Sequence, residues 1–213
     1  MTTRVNIVLA GLFFGLSILL DNEHIKNKLY KIFQLTLPVI LFGFALLLYN
    51  YLRFHHIFEF GYSYQLLYNE PAINREYGLW SFIHFPANLY YFLFKGPEGV
   101  FLSGTKILVY PFFKPDIWGM SILFTSPILL WGFLASLKKR EVWLSILTSA
   151  LMLFVLLGYY GIGVRQYGYR YALDFYPFLF IMLAYAQQER LSWLFRIIVI
   201  LSFLFNWYLI GFV

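Results

Sequence analysis

The sequence predicts an all-α fold, a polytopic transmembrane helical bundle of about six spans, and three observations predict it. Apolar residues make up 61% of the 213 and charged ones only 12%, more apolar surface than a soluble fold can enclose beneath a polar shell. These residues gather into long, nearly charge-free blocks, as a helix needs to cross ~30 Å of hydrocarbon at ~1.5 Å per residue. The blocks are continuous rather than alternating, which favours helices over barrel strands of ~10 residues.

The first span is expected over residues 5–20. It is short, and Gly11 and Gly15 have the spacing that lets two helices approach closely. It resembles a signal peptide, but no small-residue cleavage site precedes Asp21, so it reads as a retained helix. The link DNEHIKNK leads to the second span, 30–51, which Pro38 should kink without breaking. Residues 52–115 form one long connection rich in Gly, Pro and aromatics. Within it SFIHFPANLYYFLF, ended by the turn-like KGPEG, reads as an interfacial helix. A third span, 117–136 with Pro127 inside it, is followed by the basic turn LKKRE and a fourth span, 142–160. The loop GIGVRQYGYRYALD leads into a fifth, 175–186, and QQER into a sixth, 191–213. Residues 1–213 thus read as a single transmembrane domain.

Basic residues are densest in the short links at 21–31, 137–141 and 187–190, and the positive-inside rule assigns these to the cytoplasm. The loops 52–115 and 161–174 then face outward, and the expected location is a cytoplasmic (inner) membrane, multi-pass. The net charge of +6 and pI near 9.4 are explained by topology and membrane-lipid contacts, with no nucleic-acid partner implied. The absence of cysteine excludes disulfides, thiolate metal sites and a cysteine nucleophile. The spans contain no acidic residue, which argues against ion-coupled transport.

His55 and His56 are adjacent and lack a partner at helical spacing, so no metal site is expected, and nothing calls for a cofactor. GIGVRQYG lacks the third glycine of a dinucleotide loop and stands in no βαβ pattern. The outward carboxylates Glu59, Glu70, Glu76, Glu98, Asp116 and Asp174 show no spacing that singles out an acid and a base, so the catalytic residue is unknown. More informative are arginines in aromatic company, Arg53 in YNYLRF and Arg165 with Arg170 in RQYGYRYALDF. A planar guanidinium suits phosphate, and neighbouring tyrosines suit a sugar or an isoprenoid tail. A belt of aromatic and headgroup anchors accounts for the same residues. Arg170 and Asp174 are in the poorer order for a helical ion pair, so Asp174 reads as a cap for the fifth span and Arg170 as open to a ligand.

The stretches LYNYLRFHHIFEFGYSYQ, FPANLYYFLFKGP, YPFFKPDIWGMSILFTSPILL and YGYRYALDFYPFL, in order over residues 11–177, resemble the C-terminal half of bacterial GT-C type multi-pass glycosyltransferases, a protein mannosyltransferase-like group. The resemblance implies a sugar taken from a polyprenyl-phosphate donor and transferred outside the membrane, with Arg53, Arg165 and Arg170 as candidate lipid-phosphate contacts. The family's catalytic carboxylate lies in its first outward loop, for which this sequence has no counterpart. The expectation is a membrane portion whose N-terminal half or partner subunit is missing, whether as a fragment, a split subunit or a decayed copy. The alternative is a non-enzymatic scaffold or lipid carrier.

Overall fold

The computed structural model describes residues 5–67, 70–163, 165–187 and 191–212. The chain divides into two compact units, Met1–Ala72 and Ile73–Val213.

In the first unit a 3₁₀ turn, Val5–Leu9, runs into α1 (Ala10–Leu20), and α2 (Ile25–Phe54) follows. The link between them is held by its charges. Lys28 Nζ donates to Leu19 O (2.7 Å), one of the carbonyls left open at the end of α1, and Lys31 pairs with Glu23 at 2.5 Å. The 30 residues of α2 rise ~45 Å, so the helix outruns the expected span at both ends. Pro38 lies inside it, as expected. It stops at His55, whose left-handed conformation (φ 56) returns its N–H to Tyr51 O at 2.8 Å. A Cβ added at Gly11 or Gly15 would meet nothing within 4 Å, so the close packing expected there is not made among the described residues.

After α3 (Glu70–Glu76), the helix expected in SFIHFPANLYYFLF is present as a 3₁₀ turn, Phe82–His84, and α4 (Phe85–Leu93). Pro86 stands in its first turn, where no N–H is missed. An antiparallel hairpin then corrects the all-α expectation: β1 (Glu98–Phe101) pairs with β2 (Leu108–Lys114), with a bulge between Gly99 and Phe101. Pro111 is tolerated because a two-stranded sheet has only edge strands.

The third expected span, 117–136, is not one helix. It is α5 (Ile122–Thr125) followed by a 3₁₀ stretch, Pro127–Leu134. Pro127 has no N–H to give and its ring excludes the helical carbonyl one turn back, while Ser126 leaves the helical region (φ −149). Next come α6 (Arg140–Leu157), α7 (Tyr176–Ala186) and α8 (Trp193–Ile210). Among the described residues three helices, α2, α6 and α8, are long and apolar enough to cross a membrane; Asn6–Leu20 and Tyr176–Ala186 are apolar but shorter. The 11 residues of α7 rise ~16 Å, about half the hydrocarbon thickness.

The second unit has two distinct ends. At one, Tyr185 of α7 stands beside Glu141 of α6, and Trp131 meets Phe195 of α8 at 5.9 Å. At the other, Asn206 near the end of α8 reaches Thr125 O, and Asn88 reaches the end of α6. Chain direction therefore alternates through Pro127–Leu134, α6, α7 and α8, and LKKRE lies at the end opposite residues 161–174. Of the link at 187–190, residues 188–190 and with them Arg190 lie outside the described residues. Between the ends, Gly132 gives α7 its close approach, since a Cβ there would meet Leu183 N and Met182 Cβ at 3.0 Å. The fully buried Met120, Ile122, Leu144, Met152, Phe175 and Met182 fill the core of this unit.

Orientation is open to direct measurement, because single cysteines can be introduced without background. The density of positive charge at LKKRE predicts that Glu76→Cys is labelled by an impermeant thiol reagent in intact cells and Lys138→Cys only after the membrane is broken. The reverse pattern would invert the topology.

Candidate functional site: two arginines on an amide scaffold

Helix α6 ends at Leu157 with its last carbonyls open, and in an apolar setting each needs a donor. The segment around α4 supplies them. Trp80 Nε1 donates to Val155 O (3.0 Å), Asn88 Nδ2 to Leu157 O (2.9 Å) and Tyr159 O (2.8 Å), and the Ser81 amide to Gly158 O (2.8 Å). Gly158 must be glycine here, because a Cβ would overlap the Trp80 indole. The buried Tyr169 hydroxyl donates to Asn88 Oδ1 (3.3 Å), so the loop before α7 hangs on the same amide.

That loop is braced from a second side. The Met120 amide donates to Tyr167 O and the Tyr169 amide to Met120 O, both at 2.9 Å, making a short parallel bridge. Gln166 is the wedge between the two loop segments, its Nε2 donating to Ile162 O (2.9 Å) and Trp118 O (2.5 Å). Gly163 (φ 104) and Gly119 (φ 94) flank it, and a Cβ on them would come within 2.5 Å and 2.8 Å of its side chain. Gly163 of GIGVRQYG thus makes room for the Gln166 side chain. Tyr167 donates to Asn206 Oδ1 (2.7 Å), and Asn206 Nδ2 donates to Thr125 O (3.1 Å), the carbonyl exposed by the break at Pro127. Burial pushes the Tyr167 hydroxyl up to about 12 and raises that of Tyr169 as well, so both phenols are neutral donors at ordinary pH.

On this base stand Arg165 and Arg170, both exposed, lining one open cavity of about 340 Å³ with Thr125, Ser126, Tyr167 and Tyr176. Arg165, in a left-handed conformation (φ 52), makes no hydrogen bond or ion pair with a described residue. The Arg170 guanidinium lies 5.8 Å from the Tyr171 ring centre. Arg170 and Asp174 are each engaged within the chain, so the expectation of an unoccupied Arg170 does not hold. Asp174 closes the 3₁₀ turn Arg170–Asp174, and the N-cap of α7 is Phe175 instead.

Arg53 belongs to the first unit. Its Nη1 donates to the Tyr49 hydroxyl (3.0 Å) and its guanidinium lies 5.0 Å from the Phe54 ring centre, at the C-terminal turn of α2 where a cation is favoured. That is the environment of an anchor. Of the three candidate arginines, the structure brings Arg165 and Arg170 to one cavity.

The carboxylates are spread over separate tasks. Asp116, 2% exposed, pairs with Lys95 at 2.6 Å and accepts from the Trp118 amide at 2.7 Å; its hydrogen bond holds the Lys95 ammonium above the usual lysine range. Glu98 pairs with Lys114 at 3.4 Å. The Ser63 hydroxyl donates to Glu59 at 2.6 Å and holds that carboxyl below its ordinary value. Glu70 and Glu76 lie on α3. None forms an acid–base pair, and the catalytic residue stays unassigned. His56 Nδ1 accepts from the Phe58 amide (3.3 Å), and among the described residues no three His, Asp or Glu side chains gather as metal ligands. No protein family, curated protein or solved structure matches this chain.

Proposed function

We propose that this chain is a multi-pass protein of a cytoplasmic membrane whose Arg165–Arg170 cavity binds the phosphate of a polyprenyl-phosphate-linked sugar, as the membrane portion of a GT-C-like glycosyltransferase. The observation that carries the reading is the cavity itself: two guanidinium groups beside the hydroxyl-bearing Thr125 and Ser126, on a loop held rigid by Asn88, Gln166 and Asn206. Guanidinium forks suit phosphate oxygens, and a phosphate is the group left when a sugar departs its lipid carrier. The sequence resemblance supplies the donor class. Deprotonating an acceptor needs a positioned base, and none of the carboxylates among the described residues stands out as one, so the contribution assigned to this chain is the lipid-phosphate end of the reaction.

A second reading, a non-enzymatic lipid carrier, is favoured by a separate apolar cavity of about 180 Å³ lined by Phe92, Leu130, Phe133, Leu153 and Met182, which suits hydrocarbon. Affinity and turnover separate the two. Arg165→Lys and Arg170→Lys are expected to weaken binding of a polyprenyl phosphate by about tenfold or more each, because an ammonium cannot reproduce a bidentate fork and a charged hydrogen bond contributes ~1.5–3 kcal/mol. Asp174→Asn should leave affinity in place. Unchanged affinity in both arginine variants, or a loss of thermal stability equal to that of Asp174→Asn, would make the arginines structural. Binding without release of free polyprenyl phosphate from the sugar-linked donor would favour the carrier.

A further inference from the structure

We propose that the β1–β2 hairpin is a membrane-surface anchor, lying in the headgroup layer of the bilayer leaflet reached by the C-terminal end of α8. The proposal rests on α8 crossing the membrane and is independent of the arginine cavity. The apolar side chains of the hairpin are largely exposed. Phe101, Leu102, Ile107, Leu108, Tyr110 and Phe112 are all exposed, Tyr110 by 72% and Ile107 by 61%. In water such a two-stranded apolar ribbon would be an aggregation hazard.

Its position says what covers it. The Tyr208 hydroxyl, in the last turn of α8, donates to Pro111 O in the middle of β2, and the Phe212 ring meets Tyr110 edge-on at 5.6 Å. The 18 residues of α8 rise ~27 Å, close to the hydrocarbon thickness, so a hairpin fastened to its end lies at the boundary of that layer. Depth is limited from both directions. Each strand has one side of its backbone unpaired, which excludes the hydrocarbon, while the aromatic and aliphatic side chains disfavour bulk water. The headgroup layer satisfies both. Lys106 in the exposed tip can reach lipid phosphates, and Lys114 with Glu98 closes the open end as an ion pair.

The test uses the full chain in vesicles of phosphatidylethanolamine and phosphatidylglycerol, with single cysteines at Lys106, Ile107 or Tyr110 carrying an environment-sensitive fluorophore. Nitroxide-labelled lipids report depth and aqueous dithionite reports exposure. The expected result is strongest quenching by headgroup or shallow acyl-chain nitroxides and reduction several-fold slower than for free dye. Reduction as fast as free dye, or strongest quenching by nitroxides deep in the acyl chains, would overturn the anchor. So would protection that fades as the protein is diluted in lipid, which would assign the ribbon to a second copy. A Trp207→Cys label on α8 separates the two premises: shallow there and aqueous on the hairpin defeats the anchor alone, whereas aqueous at both defeats the spanning helix as well. Lys106 is exposed at the hairpin tip, so its variant keeps the test valid should the other two misfold.

Discussion

Asn88→Leu is expected to destabilise the protein by about 3–6 kcal/mol, read as a lowered midpoint of unfolding in detergent micelles. Asn88 is 1% exposed, and its amide serves three groups at once: the carbonyls of Leu157 and Tyr159 and the hydroxyl of Tyr169. Leucine matches the size and serves none of them. Each buried group left unsatisfied costs ~1–3 kcal/mol. Asn88→Asp should be worse still, because a carboxylate oxygen would face two carbonyl oxygens where a donor stood. The loss should reach the cavity, since Tyr169 fixes the loop between Arg165 and Arg170, and lipid affinity should fall with stability. A cost below about 1 kcal/mol for Asn88→Leu would mean that the end of α6 finds other donors.

The parts of the fold visible in the sequence are those set by local rules. Residues 142–160 and 191–213 are long, predominantly apolar runs, and α6 and α8 lie within a few residues of the expected bounds. Residues 117–136 are equally apolar, yet the chain breaks at Pro127, because the outcome there depends on whether the open carbonyl at the end of the interrupted helix, that of Thr125, finds a donor. Here the donor is Asn206, 81 residues further on, and no local pattern announces it. The hairpin escaped for a related reason. Leu102 and Ile107 flank a turn of Ser, Gly, Thr and Lys, but the flanking strands are apolar on both faces, so the two-residue alternation that marks a strand is absent.

The site was legible in its charges and not in its scaffold. Arg165 and Arg170 stood out by type and company, and they do share a cavity. Gln166 between them carries no charge or motif that marks it, although it is the residue that Gly119 and Gly163 accommodate. Asn88 and Asn206 were the available signal: neutral amides inside apolar stretches must be satisfied by something, and asking by what would have pointed to the carbonyls at the end of α6 and the break before Pro127.

Lys95→Met is expected to cost about 3–5 kcal/mol, more than Asp116→Asn at about 1–2 kcal/mol, and the asymmetry follows from burial. The Asp116 side chain is 2% exposed and the Lys95 side chain 21%, so a stranded carboxylate has no path to water whereas a stranded ammonium can swing outward. In Asp116→Asn the amide oxygen still accepts from the Trp118 N–H, which softens that loss. Replacing both, as Lys95→Met with Asp116→Leu, should cost less than the sum, because neither charge is then left alone. Lys95 also receives the Ser121 amide on its carbonyl, and the pair joins the residues just before β1 to those just after β2. The hairpin should therefore become sensitive to protease in Lys95→Met. The pH dependence has a definite sign. With the folded-state lysine held above its unfolded value of about 10.4, the stabilisation is complete below that pH and is lost as pH rises through the folded value. Unfolding midpoints across this alkaline range should fall for the parent protein and show a smaller fall for Lys95→Met. Equal slopes, or a larger cost for Asp116→Asn than for Lys95→Met, would mean that Lys95 is not what holds the buried carboxylate.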